Sequence, residues 1–352
     1  MRALLTALVL SLATLNPGTA MAWGEPGHQV IGSIAQQILE KDHPDIASQV
    51  KQILPEFDLP LASTWADCAR DVHKDASGTF SYATGRYTPN ICLSMPAGET
   101  QHMIDYASRN WDNCVYTASE GCLGAYHFAD AAYQHGNYSR TYVGTSEHDI
   151  VSAINAAIIV LQGGTAPEPF SIASKREALL MLAHFVGDLH QPLHVGAVYL
   201  DPNGSVVDPD AQGLALNYCE GGVQAPCTEG GNAIATSRSE NLHHVWDTIP
   251  AALGTSASAD LVSAAEAVPA TDGPVSGWAA AWASDTVNEA ATTAFQGPAY
   301  AGNSDSAHPK WTVTLPATYA SMRDAEQRQQ LIKGGGRLAQ LLVAALSAQP
   351  IQ

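Results

Sequence analysis

The chain is 352 residues long and carries 34 Asp and Glu against 16 Lys and Arg, a formal charge of −18. Such an excess of acid excludes the basic footprint with which nonspecific nucleic-acid binders hold a polyanion, so chemistry on phosphates would need positive charge from elsewhere. Hydrophobic residues at 46% suffice for a large core, and no Ser-, Gly- or Pro-rich linker divides the chain, which points to one domain.

Residues 1–22 read as a secretory signal: Arg2, an apolar run from Ala3 to Leu15, a break at Asn16-Pro17-Gly18, and the small-residue site Ala20-Met21-Ala22. That run is too short to span a bilayer, and no later stretch approaches about 18 consecutive apolar residues. Cleavage after Ala22 would start the mature chain at Trp23. Loss of Arg2 leaves 15 basic residues against 34 acidic ones and takes the charge to −19. The predicted product is secreted or periplasmic, a monomer, without membrane association. Two glycosylation sequons, Asn137-Tyr138-Ser139 and Asn203-Gly204-Ser205, matter only in a glycosylating host.

Val30, Ile31, Ile34, Ile38 and Leu39 recur at helical spacing, as do Ile150, Ile154, Ile158 and Leu161 before Gly163-Gly164. A third helix is predicted from Ser174, where Ser-Lys-Arg-Glu makes a capping box with Glu177, and Pro192 should end or bend it. Leu200 to Gly231 is rich in Asp, Pro, Asn and Gly, which predicts a long disulfide-pinned loop with at most a small hairpin. Helical pattern resumes near Ser239. Ala259 to Ala294, and Met322 to Leu346 interrupted by Gly334-Gly335-Gly336, complete an all-α, predominantly helical single domain over 23–352. Six cysteines in a chain addressed to an oxidising compartment make three disulfides the default, out of 15 possible connectivities. Short loops favour Cys114 with Cys122 and Cys219 with Cys227, leaving Cys68 with Cys92. No Cys-x-x-Cys pair argues for a zinc-thiolate site.

The densest chemistry lies in Leu182 to Gly196, LAHFVGDLHQPLHVG, where His184 and Asp188 are four apart on one helix face and His194 follows beyond the Pro192 bend. In NLHHVWD, His243 and Asp247 repeat the spacing. Any one of these histidines alone is more simply a buried, hydrogen-bonded residue, but three histidines and an aspartate among Leu, Phe and Val are costly unless partnered. Weaker candidates are Asp67 in STWADCAR and His102 in QHMIDY. A free amine on Trp23, five residues before His28, could chelate a metal together with its own carbonyl, since its unperturbed pKa is only about 7.7–8.0.

The motifs WGxxGH at Trp23 to His28, WAD at Trp65 to Asp67, the His102 segment, HFVGDxHQPLH at His184 to His194, GGN at Gly230 to Asn232 and NLHxxWD at Asn241 to Asp247 follow one another as they do in one family. In these features the chain resembles the zinc-dependent, single-strand-preferring nucleases of the S1/P1 type. The resemblance covers Trp23 to about Asp247. It implies three Zn²⁺ ions: one on Asp67, His102, His184 and Asp188, one on the Trp23 amine and carbonyl, His28 and the bridging Asp188, and one on His194, His243 and Asp247. Their six positive charges against three aspartates would supply the local positive field that the surface lacks.

The activity so implied is hydrolysis of single-stranded DNA and RNA, and of 3′-nucleotides, to 5′-phosphate products, with Asp67, Arg70 and Asp188 as catalytic residues. Arg70 would neutralise charge on the phosphoryl oxygens, and water activated by the metals would attack phosphorus. In the family an aromatic residue follows the ligand matched to His102 and stacks on a base. Here Met103 stands in that place, with Asp105 as the partner for the base edge, which puts base preference in doubt. His190 and His244 read as supporting or surface residues. Two rivals remain open: a zinc-dependent phospholipase C, which would end the NLHHVWD motif in Glu, and a non-catalytic zinc-binding protein, which would have no use for Arg70.

Overall fold

The computed structural model describes residues 23–83, 89–114, 121–221, 224–237, 240–303 and 310–347; the predicted signal, residues 1–22, lies outside them. Helices dominate, as the sequence predicts. In chain order they are α1 (Glu25–Asp42), α2 (Pro44–Ile53), α3 (Leu59–Ala62), α4 (Trp65–Ala69), α5 (Pro89–Cys92), α6 (Glu99–Asn110), α7 (Ile150–Leu161), α8 (Lys175–Asp188), α9 (Pro192–Val195), α10 (Leu242–Asp247), α11 (Ala259–Glu266), α12 (Trp278–Glu289) and α13 (Tyr319–Ser347).

The helix that organises the rest is α8. Its Ser174 cap accepts the Glu177 backbone N–H at 3.2 Å, and the Glu177 carboxylate reaches back to the Ala173 N–H rather than to that of Ser174. Every residue from Glu177 to Asp188 is buried, because α1, α3, α4, α7 and α13 pack around it. A helix apolar on all sides lies inside a core, so the polar side chains of His184 and Asp188 are carried inward with it. The helix stops at Asp188, earlier than Pro192 requires, and Pro192 instead opens α9 at the first turn, where its missing N–H costs nothing.

Two expectations need correction. The Gly334-Gly335-Gly336 run does not interrupt the last helix: α13 is continuous over 29 residues. A Cβ on Gly335 would lie 2.5 Å from Ile34 Cβ, and one on Gly336 would lie 2.7 Å from the Ala265 carbonyl oxygen. The glycines therefore let α13 press against α1 and α11, and packing overrides their poor helix propensity. Likewise the strand content, though small, exceeds one hairpin. β1 (Val72–Lys74) pairs with β2 (Phe80–Tyr82), β3 (Ala131–Ala132) pairs in parallel with β4 (Gly196–Ala197), and β5 (Ile234–Ala235), β7 (Trp311–Thr314) and β6 (Ala299–Gly302) form a three-stranded sheet in that order.

That sheet matters for position. Ile234 and Trp311 join Leu193, Leu242, Trp246 and Tyr319 in a buried cluster distinct from the main core, and this cluster seats α9 and α10. Three disulfides form as the short-loop reading expected. Cys68–Cys92 ties α4 to α5, Cys114–Cys122 pins the 3-10 helix Gly121–His127, and Cys219–Cys227 closes the loop before Gly230.

Gly335→Val is expected to destabilise the fold by about 1–3 kcal/mol through overpacking against Ile34, read as a lower midpoint in urea unfolding at unchanged slope.

Candidate metal centre

Three groups of donors meet at the end of α8. In the first, His184 Nε2 lies 3.0 Å from Asp188 Oδ2, and His127 Nδ1 lies 2.9 Å from the same oxygen and 3.0 Å from His184 Nε2. Asp67 Oδ1, on α4, stands 3.9 Å from His184 Nε2 and 3.8 Å from His127 Nδ1. In the second, His28 Nε2 approaches Asp188 Oδ1 at 3.2 Å without hydrogen-bond geometry. In the third, Asp247 Oδ1 lies 3.8 Å from His194 Nε2 and 3.7 Å from His243 Nε2. All eight of these residues are buried.

The imidazoles are held in one tautomer from behind. His184 Nδ1 donates to the Ser63 carbonyl at 2.7 Å, His194 Nδ1 to the His127 carbonyl at 2.9 Å and His243 Nδ1 to the Gly230 carbonyl at 2.9 Å. Each Nε2 therefore turns an unshared electron pair toward the aspartates, as ligating histidines do. Gly230 and Gly231, with φ of +55° and +92°, provide that carbonyl, and a Cβ on Gly230 would lie 3.0 Å from His243 Nδ1. Gln191 serves two of these donors together: its Nε2 donates to Asp247 Oδ1 at 2.7 Å, and its Oε1 accepts the Leu193 N–H, capping the helix that carries His194.

Six buried atoms here, His28 Nε2, Asp67 Oδ2, Asp188 Oδ1, His194 Nε2, His243 Nε2 and Asp247 Oδ2, have no hydrogen-bond partner. Unsatisfied buried polar atoms are costly, and six aimed into one space fit cations better than a core. Electrostatics agree. Burial opposes ionisation of Asp188, but His184 and His194 outweigh it and hold the carboxyl well below the usual range. Burial, with the Asp188 and Asp67 charges nearby, pushes Asp247 well above it, while burial lowers His127 to about 3. Burial opposes charge on His184, but Asp188 and Asp67 outweigh it and raise its pKa; imidazoles and crowded carboxylates are a donor set suited to zinc.

Most of the residues named from sequence come together here. Arg70 follows α4, with Nη1 3.3 Å from Asp67 Oδ1. Trp23 is buried, its Nε1 donating to the Gly187 carbonyl at 3.0 Å, and the next residue's N–H donates to the Asp247 carbonyl at 2.9 Å. These bonds set the Trp23 backbone beside two of the groups. His190 is buried away from them, bonded to the Val186 carbonyl and to Arg337, and His244 is exposed.

His102, Met103 and Asp105 are not brought to the centre. The His102 side chain is 57% exposed and pairs with Glu99 at 3.2 Å. Met103 is buried in the main core, and exposed Asp105 accepts from Gln101. On α6 this segment supports the site indirectly, since Glu99 anchors α4 by accepting the Trp65 indole N–H at 2.6 Å. The place expected for His102 is held by His127.

The missed signal was present in the sequence. Apart from His184, His127 is the only histidine followed by an aromatic residue, and His127-Phe128-Ala129-Asp130 puts an acid three positions on, the offset at which Asp105 stood from His102. Phe128 and Asp130 border a small pocket shared with Gly144, Ser146, Leu216 and Glu220. Burial and the neighbouring Glu229 charge raise Asp130 to about 7.

The family model described as S1/P1 Nuclease matches residues 23–347. Endonuclease 4 of Arabidopsis thaliana is 27% identical over 366 residues, covering 98% of this chain and 95% of that protein. Endonuclease 2 of the same plant is 27% identical over 232 residues, covering 64% of this chain and 55% of its own. Nuclease S1 of Aspergillus oryzae is 24% identical over 244 residues, covering 69% and 58%.

Gln191→Leu should weaken zinc binding by the His194, His243 and Asp247 group about 10–100-fold, the usual effect of removing a partner that orients ligands. A competition titration of zinc against a chelator checks this, and affinity equal to the unaltered protein would count against the role given to Gln191.

Proposed function

The chain belongs to the S1/P1 nuclease family, and from that footing we propose that it is an exported, zinc-dependent endonuclease acting on single-stranded DNA and RNA. The reading extends to 5′-phosphate products, activity on 3′-nucleotides, and a monomer with one domain from residue 23 onward. The observation that carries it is the convergence of buried, unpartnered nitrogen and oxygen donors around Asp188 and Asp247. Three disulfides support export to an oxidising compartment.

Asp67, His127, His184 and Asp188 would hold one zinc. His28, Asp188 and the amine and carbonyl of a terminal Trp23 would hold a second, and His194, His243 and Asp247 a third. Zinc bound there supplies Lewis acidity toward phosphoryl oxygens and brings the pKa of water down to about 7. The chain's own residues do the rest. Asp188 offers one oxygen to each of two groups, so its single carboxylate fixes their spacing. Arg70, oriented by Asp67, presents a guanidinium to charge growing on the phosphoryl group.

Phe128 offers a face on which an unpaired base stacks, and Asp130 offers a hydrogen bond to its edge. A stacked, paired base reaches neither, which supports the preference for single strands. In this reading an aromatic ring, Phe128, takes the stacking place assigned by the resemblance to Met103.

Two outcomes are expected. A mature protein with one extra residue before Trp23 loses about 10–100-fold in zinc affinity at the second group and most of its activity on single-stranded DNA; full activity would exclude the terminal amine as a ligand. Phe128→Ala costs about 1–3 kcal/mol of substrate binding, measured as a raised KM with zinc content unchanged.

A further inference from the structure

Away from the buried donors, one imidazole and two carboxylates meet at the surface. His135 closes the 3-10 turn Tyr133–His135, and Asp208 and Asp210 lie in the long loop between β4 and β5. His135 Nε2 is 2.8 Å from Asp210 Oδ2 and 3.8 Å from Asp208 Oδ1, and the three ligand atoms lie within 4.8 Å of one another. Two zinc bonds of about 2.1 Å at a tetrahedral angle span about 3.4 Å, which falls between those separations.

Each donor is held in place independently. The His135 ring stacks on Tyr142 with centroids 4.0 Å apart. Asp210 Oδ1 accepts the Val143 N–H at 2.9 Å, which turns Oδ2 toward the imidazole. Asp208 Oδ1 accepts the Asp210 N–H at 3.0 Å and the Ala211 N–H at 3.4 Å, which fixes this carboxylate beside the imidazole. A simple ion pair would use one carboxylate. Two beside one histidine leave net negative charge even when the ring is protonated, whereas a divalent cation with a neutral ring balances both. Side-chain exposures of 18% for His135, 43% for Asp208 and 24% for Asp210 give water room to complete the shell.

We propose that His135, Asp208 and Asp210 bind a separate divalent transition-metal ion, with zinc the ion that suits this imidazole–carboxylate set. Its role is to brace two segments that border the Phe128 pocket. Asp130 N–H donates to the Gly144 carbonyl and Gly144 N–H to the Leu216 carbonyl, both at 2.8 Å, so a cation joining 135 to 208 and 210 stiffens the strap on which Asp130 sits. The site supplies no group to hydrolysis, and its zinc content does not depend on the nuclease reading.

The test compares zinc bound per chain after dialysis against micromolar free zinc for the unaltered protein, His135→Asn and Asp208→Asn. The second variant alters an exposed residue and keeps the Oδ1 acceptor, so it guards against misfolding of the first. The expected result is one zinc fewer in both variants, and zinc-dependent protection of residues 200–221 from proteolysis only in the unaltered protein. Equal zinc in all three proteins overturns the proposal. Because the readout is a difference, it holds however many ions the buried donors take. Loss of the one ion in the variants from a protein that holds none at the buried donors would support this site and defeat the nuclease reading.

Discussion

The structure turns on a carboxylate that no solvent reaches. Asp188 ends a helix buried on every side, and the three imidazoles nearest it, His28, His127 and His184, are buried with it. An isolated ion in such surroundings costs several kcal/mol even after relaxation. The histidines offset part of that cost, yet Asp188 Oδ1 still has no hydrogen-bond partner. A chain that carries this arrangement into its core has a use for cations there.

Much of the remaining fold serves to bring donors to Asp188. The Cys68–Cys92 bond and the Trp65–Glu99 hydrogen bond fix α4, hence Asp67 and Arg70. The Cys114–Cys122 bond pins the turn that delivers His127. The second core cluster seats α9 and α10, hence His194, His243 and Asp247. Backbone carbonyls of Ser63, His127 and Gly230 then orient the rings. His127 supplies a donor from its side chain and an anchor for His194 from its backbone, so the first and third groups are mechanically joined.

The sequence was legible where the clustered donors sit on helices. His184 with Asp188 and His243 with Asp247 declare themselves through the i, i+4 spacing, because a helix converts that interval into a shared face. His127 sits on a 3-10 turn with no period to expose it, and His102 in QHMIDY stands out only by its apolar surroundings and by the resemblance. That segment forms α6, whose face turned to the core bears Met103 and Tyr106 and leaves His102 exposed. The glycines of α13 misled for a related reason: propensity is local, whereas their close approach to Ile34 and Ala265 is tertiary. Strands of two to four residues are too short to show alternation at all.

An acidic protein that handles a polyanion must keep its positive charge concentrated and internal, and the account rests on zinc supplying it within this cage. Diffraction from crystals of the protein trimmed to Trp23, collected at the zinc absorption edge, tests this directly. The account requires three anomalous peaks between the side chains of Asp67, His127, His184, Asp188, His28, His194, His243 and Asp247, one of them within bonding distance of the Trp23 amine. Zinc-equilibrated crystals with no peak in that space would contradict it.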